Sequence, residues 1–552
     1  MDANRPALSG LRGVLLLIPL AFLLVFFFYP LAAILLRSLA PEGVLNLSAF
    51  RQISGYASTL WFTTWQAALS TLLTLVLALP GAYLFTRFAF PGKGLLLSLA
   101  TLPFVLPTVV VAAAFSALIG RNGLVNDVLL AVLPFEDAPI DLQRTLAIIL
   151  IVHVFYNYAI ALRMISGFWA NQSLRMEEAA RVLGASGWRL WWEVRLPMLR
   201  PALLAAAVLV FIFTFTSFGV ILILGGPRYA TLEVEIYRAV GRFNLELAAA
   251  LSIVQIGVMF LMLLFYTRLQ RQTQTDVAHT TQIARSPAQW TRREWVFVVV
   301  SLLLMVLLLF APLLALVIES VYDAGWTLRF YRGLNENPRG SILFVPPLEA
   351  VRNSLVFALL TTLLAVLLGL LTAYLLARRS RLSRWLDPVF MLPLATSAVT
   401  LGFGFLIALD EPPLNLRASP LLIPIAHTLV ALPFVVRSVL PALRAISPNI
   451  REAASVLGAS PGQVWRLIDL PLISRGVLVG ATFAFTVSMG EFGASVFIAR
   501  PDTPTMPVVI ERLLSRPGTY VQALAMSVIL MAVCAVSFIV IERTRTAGIG
   551  EF

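Results

Sequence analysis

One cysteine, three histidines and one lysine (Lys93) are all that 552 residues hold of those types. Cys534 stands alone inside the last apolar run, so no disulfide can close within the chain and no cysteine-based metal site can form. Charge is scarce too: only 12% of residues are charged, roughly half the share in a soluble globular protein. No G-x-x-x-x-G-K-[ST] stretch occurs, and Phe90-Pro91-Gly92-Lys93 reads as a loop rather than a phosphate cradle. The chain therefore lacks the means to hydrolyse ATP by itself. No Ser/His/Asp set and no zinc-ligand spacing is visible, so no catalytic residue, metal ligand or resident cofactor is assigned. No polar interval is long enough for a separate domain.

What is abundant is apolar sequence. Hydrophobic residues make up 59% of the chain, and the mean hydropathy is +0.89. Apolar runs of membrane-spanning length recur throughout, the pattern of a polytopic membrane protein. Backbone groups in lipid must be satisfied internally, so the runs are predicted to be helices; they do not alternate as barrel strands would. The expected fold is an all-α membrane protein with about twelve transmembrane helices. Six are predicted at 13–36, 58–86, 95–119, 145–168, 201–224 and 246–269, and six at 295–319, 352–377, 386–409, 421–443, 476–498 and 522–542. The first run follows a short basic start and lacks a small-residue cleavage site, so it reads as a retained helix.

The net charge of +13 raises nucleic acid as a partner, but excess Arg in a membrane protein marks cytoplasmic loops. No nucleic-acid partner is expected; the expected surroundings are a lipid bilayer. With the amino terminus placed in the cytoplasm, Arg and Lys are in excess on the cytoplasmic side and acids on the other. That puts both termini in the cytoplasm, together with the tracts Arg292-Arg293 and Arg378-Arg379-Ser380-Arg381. The Thr- and Gln-rich interval 270–294 reads as a cytoplasmic linker. The longest outer loops fall near 120–144 and 320–351.

The chain is also duplicated. Glu177 to Pro201 reads EEAARVLGASGWRLWWEVRLPMLRP, and Arg451 to Arg475 reads REAASVLGASPGQVWRLIDLPLISR. Glu178 matches Glu452, Gly184 matches Gly458 and Pro197 matches Pro471, each 274 residues on. The register extends to His153/His427, Arg163/Arg437, Phe218-Gly219/Phe492-Gly493, Pro227/Pro501 and Thr231/Thr505. Before the 120–144 loop the displacement is near 290, as an insertion in one outer loop would cause. Two units follow, 1–269 and 295–552, related by a pseudo-twofold axis and each carrying one special loop, 172–200 and 446–475.

Within each loop, Ser173 or Ser447 stands where a helix N-cap is wanted. Gly184 or Gly458 then ends a short helix. Ser186 or Ser460 can cap a second one, and Pro197 or Pro471 is expected to end that before the next span. Such a knob is either an interfacial helix lying on the bilayer or a peg for a soluble partner. Two equivalent pegs suit a partner that is itself a twofold dimer.

The pattern E-A-A, three residues, G, and then I-x-L-P resembles the coupling loop of permease subunits of binding-protein-dependent ABC importers. The second copy fits with Ile468-Asp469-Leu470-Pro471, while the first carries Val194 for the isoleucine. The resemblance covers the whole chain, as two type I permease units fused head to tail. It implies the membrane component of an ATP-driven importer in the bacterial inner membrane. Two copies of an ABC ATPase subunit, which bind the ATP and Mg, would dock on the loops, and an extracytoplasmic binding protein would deliver substrate. It assigns ATPase coupling to Glu178, Ala179, Ala180 and Gly184, and to Glu452, Ala453, Ala454 and Gly458, with Gly allowing close approach of the partner. The fused form is similar to ferric-iron and thiamine permeases. Phe218-Gly219-Val220, Gly225-Gly226-Pro227 and Thr231 to Tyr237 resemble thiamine-type members, and Gly490-Glu491-Phe492-Gly493 resembles both. The rival reading is an ion-coupled secondary transporter, which also often has twelve spans in two halves.

Glu491 is the one acid placed inside a predicted span, where a charge costs about 2.5–3.5 kcal/mol on insertion scales. Its counterpart is Ser217, and the two are candidate substrate-pathway residues; the other role open to Glu491 is a bond to backbone across a helix interface. His153 and His427 admit a metal pair, but an interfacial or buried histidine is the commoner role. Arg163 and Arg437 are expected to snorkel. Pro103 with Pro107, and Pro393, are expected to break spans three and nine.

Overall fold

The computed structural model describes residues 17–40, 48–173, 175–273, 286–323, 325–337, 343, 345–377, 380–410, 412 and 414–546. Arg378-Arg379 and residues 274–285 of the linker lie outside the described residues. The first half contributes α1 (Leu17–Leu39), α2 (Ala57–Arg87), α3 (Lys93–Val105), α4 (Thr108–Ile119), α5 (Leu146–Ala170), α6 (Arg175–Val182), α7 (Leu196–Phe215), α8 (Gly219–Leu224), α9 (Leu232–Gly241) and α10 (Leu245–Thr273). The second half repeats the order with α11 (Arg292–Val321), α12 (Pro347–Ala377), α13 (Arg381–Ala395), α14 (Ala398–Ala408), α15 (Leu422–Ala445), α16 (Pro448–Val456), α17 (Leu470–Gly490), α18 (Ser495–Ile498), α19 (Met506–Leu514) and α20 (Tyr520–Thr546). Equivalent helices thus differ by ten. Among the described residues, eleven helices are long and apolar enough to cross a membrane, or twelve if the bent pair α13–α14 is one span.

Several predicted spans are broken, for local reasons. Span three divides at Leu106, which is extended (φ −73°, ψ 140°) because the following Pro107 disfavours the helical region. In span nine the expected break at Pro393 is corrected: α13 runs through Pro388 and Pro393 to Ala395. Ser397 then accepts from the amides of Val399 and Thr400 to start α14, and the two helices meet at 91°. Spans five and eleven stop at Phe215 and Gly490, ahead of short α8 and α18. The intervals after them, expected to be outer loops, hold the helices α9 and α19. In the long 120–144 loop the buried Asn126 side chain donates to the carbonyls of Gly120, Arg121 and Ile140 and accepts from the Ile140 amide.

Two compact units form, and they are not the two sequence halves. One comprises Ile53–Glu235 with Val254–Thr327; the other comprises the described parts of Met1–Gln52, Ile236–Ile253 and Leu328–Phe552. In the first, α2, α5 and α7 pack together, and α11 lies against α4. Every residue of α4 from Val109 to Ala117 is buried, as a helix apolar all round should be. In the second, α12, α15 and α17 form the centre, and α1 crosses α14. Small residues permit the close approaches: a side chain at Gly404 would meet Pro30 and Ile34 of α1 at 3.1 and 3.3 Å, and Gly369 and Gly480 both open onto Val435. The first span of each half therefore packs with helices of the other half. The outward faces of α1 and α11 carry Leu24, Leu35, Leu36, Leu303, Leu304, Leu307 and Leu314 exposed, a surface suited to lipid.

Candidate functional site

The two duplicated loops fold alike around their glycines. In the first, the Gly184 amide bonds the Arg181 carbonyl at 3.0 Å and the Ala185 amide bonds the Ala180 carbonyl at 2.9 Å. In the second, the Gly458 amide bonds Ser455 at 3.1 Å and the Ala459 amide bonds Ala454 at 3.0 Å. This pair of bonds is a Schellman cap, which puts the C′ residue in the left-handed region. Gly184 and Gly458 sit there at φ +87° and +86°, with no atom within 4 Å of where a Cβ would stand. Inside this chain, then, glycine is required for backbone conformation and not for space.

The capped helices present the same face. Glu178, Ala179, Gly184, Glu452, Ala453 and Gly458 are exposed, and Ala180 and Ala454 are half-buried. At the tips, Val182 and Leu183 are 88% and 86% exposed, and Val456 and Leu457 are 86% and 88% exposed. Each tip thus holds a pair of apolar residues out from the chain beside its glycine cap.

The expected caps are realised unevenly. Ser460 makes a capping box with Gln463, and Ser173 accepts from the Arg175 amide at 3.3 Å. Ser447 and Ser186 occupy N-cap positions without a side-chain bond. The expected stop at Pro197 and Pro471 is corrected. A π-turn, Trp191–Arg195 or Trp465–Asp469, leads straight into α7 or α17, with the proline in the first turn. Proline is tolerated there because its missing N–H and its ring conflict only with an ordinary preceding turn. Span five and span eleven thus extend from Gly187 to Phe215 and from Pro461 to Gly490.

Behind each exposed face lies an ion pair that sequence reading missed. Glu177 is buried and bonds both Arg87, at the end of α2, and Arg195, whose Nη2 is 3.2 Å from Oε2. The Arg195 guanidinium lies 5.1 Å from the ring centre of Tyr83 and 5.0 Å from that of Trp191. In the second loop Arg451 Nε donates to Asp469 Oδ1 at 2.7 Å, and the hydroxyl of Tyr374 on α12 donates to Oδ2 at 3.2 Å. Residues 177 and 451 are equivalent, as are 195 and 469, so the pair recurs with its signs reversed. The sequence signal was present: two opposite-charge exchanges at one displacement that cancel each other.

The breaks after α7 and α17 hold the second set of singled-out residues. His153 and His427 are buried, and both ring nitrogens of each are engaged. His153 contacts Ser70 Oγ at 3.1 Å and Ser217 Oγ at 2.9 Å. His427 contacts Ser488 Oγ at 2.8 Å and Ser495 Oγ at 2.9 Å, and its Nε2 is 3.3 Å from Glu491 Oε2. Glu491 Oε1 accepts from the Ala494 amide at 2.9 Å, while Oε2 accepts from the amide and hydroxyl of Ser495, each at 3.0 Å. Glu491 thus closes the turn into α18 with both oxygens in use. Among the described residues, no three His, Cys, Asp or Glu group to hold a metal. Glu233 on α9, which the sequence left in an outer loop, is also fully buried and accepts from Gln255. Arg163 donates to the Leu97 carbonyl at 3.1 Å, and Arg437, which is exposed, lies 3.3 Å from Asp387. Each thereby ties its span to α3 or α13.

Comparison with known proteins gives two matches to one family, described as binding-protein-dependent transport system inner membrane component, over residues 78–279 and 365–544. Each match contains one duplicated loop and excludes the first span of its half. The thiamine transport system permease protein of Brucella abortus (strain 2308) is 29% identical over 536 residues, covering 94% of this chain and 95% of that protein. Its counterpart in Escherichia coli K12 is 27% identical over 494 residues, 88% and 89% of the two chains. A probable ABC transporter permease protein of Sinorhizobium fredii is 27% identical over 513 residues, 89% and 88% of the two.

Proposed function

The chain belongs to the family of binding-protein-dependent transport system inner membrane components, and from that premise we propose that it carries thiamine inward as the permease of an ABC importer. Thiamine is favoured over ferric iron because the similar Brucella and Escherichia proteins are thiamine permeases along nearly their whole length. The loops bearing α6 and α16 are both cytoplasmic, as are both termini. One ATPase subunit docks on each helix, seating the Val182-Leu183 and Val456-Leu457 tips in its cleft. Glu178, Ala179, Ala180 and Gly184 meet one copy, and Glu452, Ala453, Ala454 and Gly458 meet the other. A substrate-loaded binding protein docks from outside the membrane. Ser217 and Glu491 serve the pathway by fixing the breaks after α7 and α17, rather than by offering a free charge.

The observation that carries this reading is the paired loop: two identically capped helices, each holding an E-A-A face and two bare apolar residues toward solvent. The test is a mild-detergent pull-down from native membranes, with mass spectrometry of proteins and bound ligand. An ATPase recovered together with a thiamine-loaded binding protein is the expected result. Repeated recovery of the intact chain alone, with uptake driven by an ion gradient, would overturn it.

A further inference from the structure

We propose that the sign-reversed ion pairs, Glu177–Arg195 and Arg451–Asp469, are struts that transmit movement of each docking helix to two spans of its own half. This rests on the docking role given to α6 and α16. Each pair joins three elements. In the first loop Glu177 belongs to α6, Arg195 to the π-turn that opens α7, and Arg87 and Tyr83 to α2. In the second, Arg451 belongs to α16, Asp469 to the π-turn that opens α17, and Tyr374 to α12. The tyrosines are equivalent in the duplication, within Gly81-Ala82-Tyr83-Leu84 and Thr372-Ala373-Tyr374-Leu375.

Three features favour transmission over simple packing. Glu177–Arg195 is buried and Arg451–Asp469 half-buried, and a desolvated ion pair is a poor source of net stability, since desolvation offsets its attraction, but its geometry is specific. Each pair sits directly behind an exposed docking face: Glu177 precedes Glu178, and Arg451 precedes Glu452. And two copies that differ in sign agree in making the bond, so what these positions supply is the link and not a particular charge. The π-turns add a further reason, because such turns are frequent at functional sites. Glu177, Arg195, Arg451 and Asp469 are positioning residues, acting on the spans through the loop.

The test uses the full complex of permease, ATPase and binding protein in proteoliposomes, and reads substrate transported per ATP hydrolysed. The second loop is the one to change, because in the first Arg87 would face a newly placed guanidinium. Arg451→Glu sets two carboxylates together, and Asp469→Arg sets two guanidiniums together. The double variant restores a pair with the polarity of the first loop, with the Tyr374 ring available as Tyr83 is for Arg195. Each single variant is expected to lower the transport-to-hydrolysis ratio about tenfold while still co-purifying the ATPase, and the double to return within about threefold of the parent, the signature of a coupled pair. Parental ratios in the singles, or a double no better than the worse single, would overturn the proposal. If the singles fail to reach the membrane, Asp469→Asn removes the charge without repulsion, and a parental ratio there overturns it equally. Gly458→Asp in parallel tests the docking role. If that variant keeps ATPase binding and uptake, docking itself is wrong; if it loses them while the pair variants behave as the parent, only the strut fails.

Discussion

Gly458 separates two reasons for a glycine, and its substitutions should rank by backbone conformation. The residue sits at φ +86° with open space around the missing Cβ, so an added side chain meets nothing in this chain. What it meets is the left-handed penalty, about 1–2 kcal/mol for an ordinary L-residue and less for Asn, whose side chain bonds locally. About 1.4 kcal/mol is a factor of ten in an equilibrium. In Gly458→Ala the cap should therefore open about tenfold more often, releasing the Ala459 amide from the Ala454 carbonyl. Gly458→Asn, though larger, should open less. Hydrogen exchange of the peptide containing Ala459 reads this directly, and uptake in vesicles should follow the order Gly, Asn, Ala. If Asn proves worse than Ala in both measurements, space for a docking partner, and not φ, is what the glycine provides. If Ala leaves exchange at Ala459 unchanged, the cap argument fails.

Other consequences are more local. Glu491→Gln leaves at least one of the Ala494 and Ser495 amides and His427 with a weaker partner, which should cost about 1–3 kcal/mol and lower the melting temperature of the detergent-solubilised protein; an unchanged melting temperature would refute the capping role. Gly404→Leu drives a side chain into Pro30 and Ile34 where α1 crosses α14, and overpacking of that kind costs about 1–3 kcal/mol. Reduced thermal stability with α1 more open to protease is expected, and parental behaviour would deny that crossing. Ser460→Ala removes a capping box worth about 1 kcal/mol and should speed exchange at the start of its turn, while Ser186→Ala, at a cap without a side-chain bond, should not; equal effects would contradict the difference.

Much of the architecture is a property of local sequence. Apolar runs give helices because lipid leaves the backbone no other partner. Duplication shows as register, and the loop glycines show as the only residues suited to a left-handed cap. The continuation of α7 and α17 past their prolines was not legible, because proline reads as a stop unless the turn before it is known. For His153 and His427 the sequence left interfacial and buried roles both open, because burial depends on which helices pack around them. Glu491 could be read as an intramembrane acid needing a partner, but its partner, His427, lies 64 residues earlier in the chain.

The sequence by itself determined the class of protein, the rough limits of most of its long apolar helices, the two repeated halves and the exposed loop faces, because hydropathy, helix capping and internal repeats act over a few turns of chain. Tertiary structure alone decided which helices α1 and α11 join, since two apolar helices offer lipid and protein alike the same kind of surface and only the fit at Gly404 or along α4 selects a neighbour. It also decided that Glu177 meets Arg195 and Arg451 meets Asp469. A charge pair is a matter of distance in space, and only the path of the chain through Gly184 and Gly458 brings those side chains together.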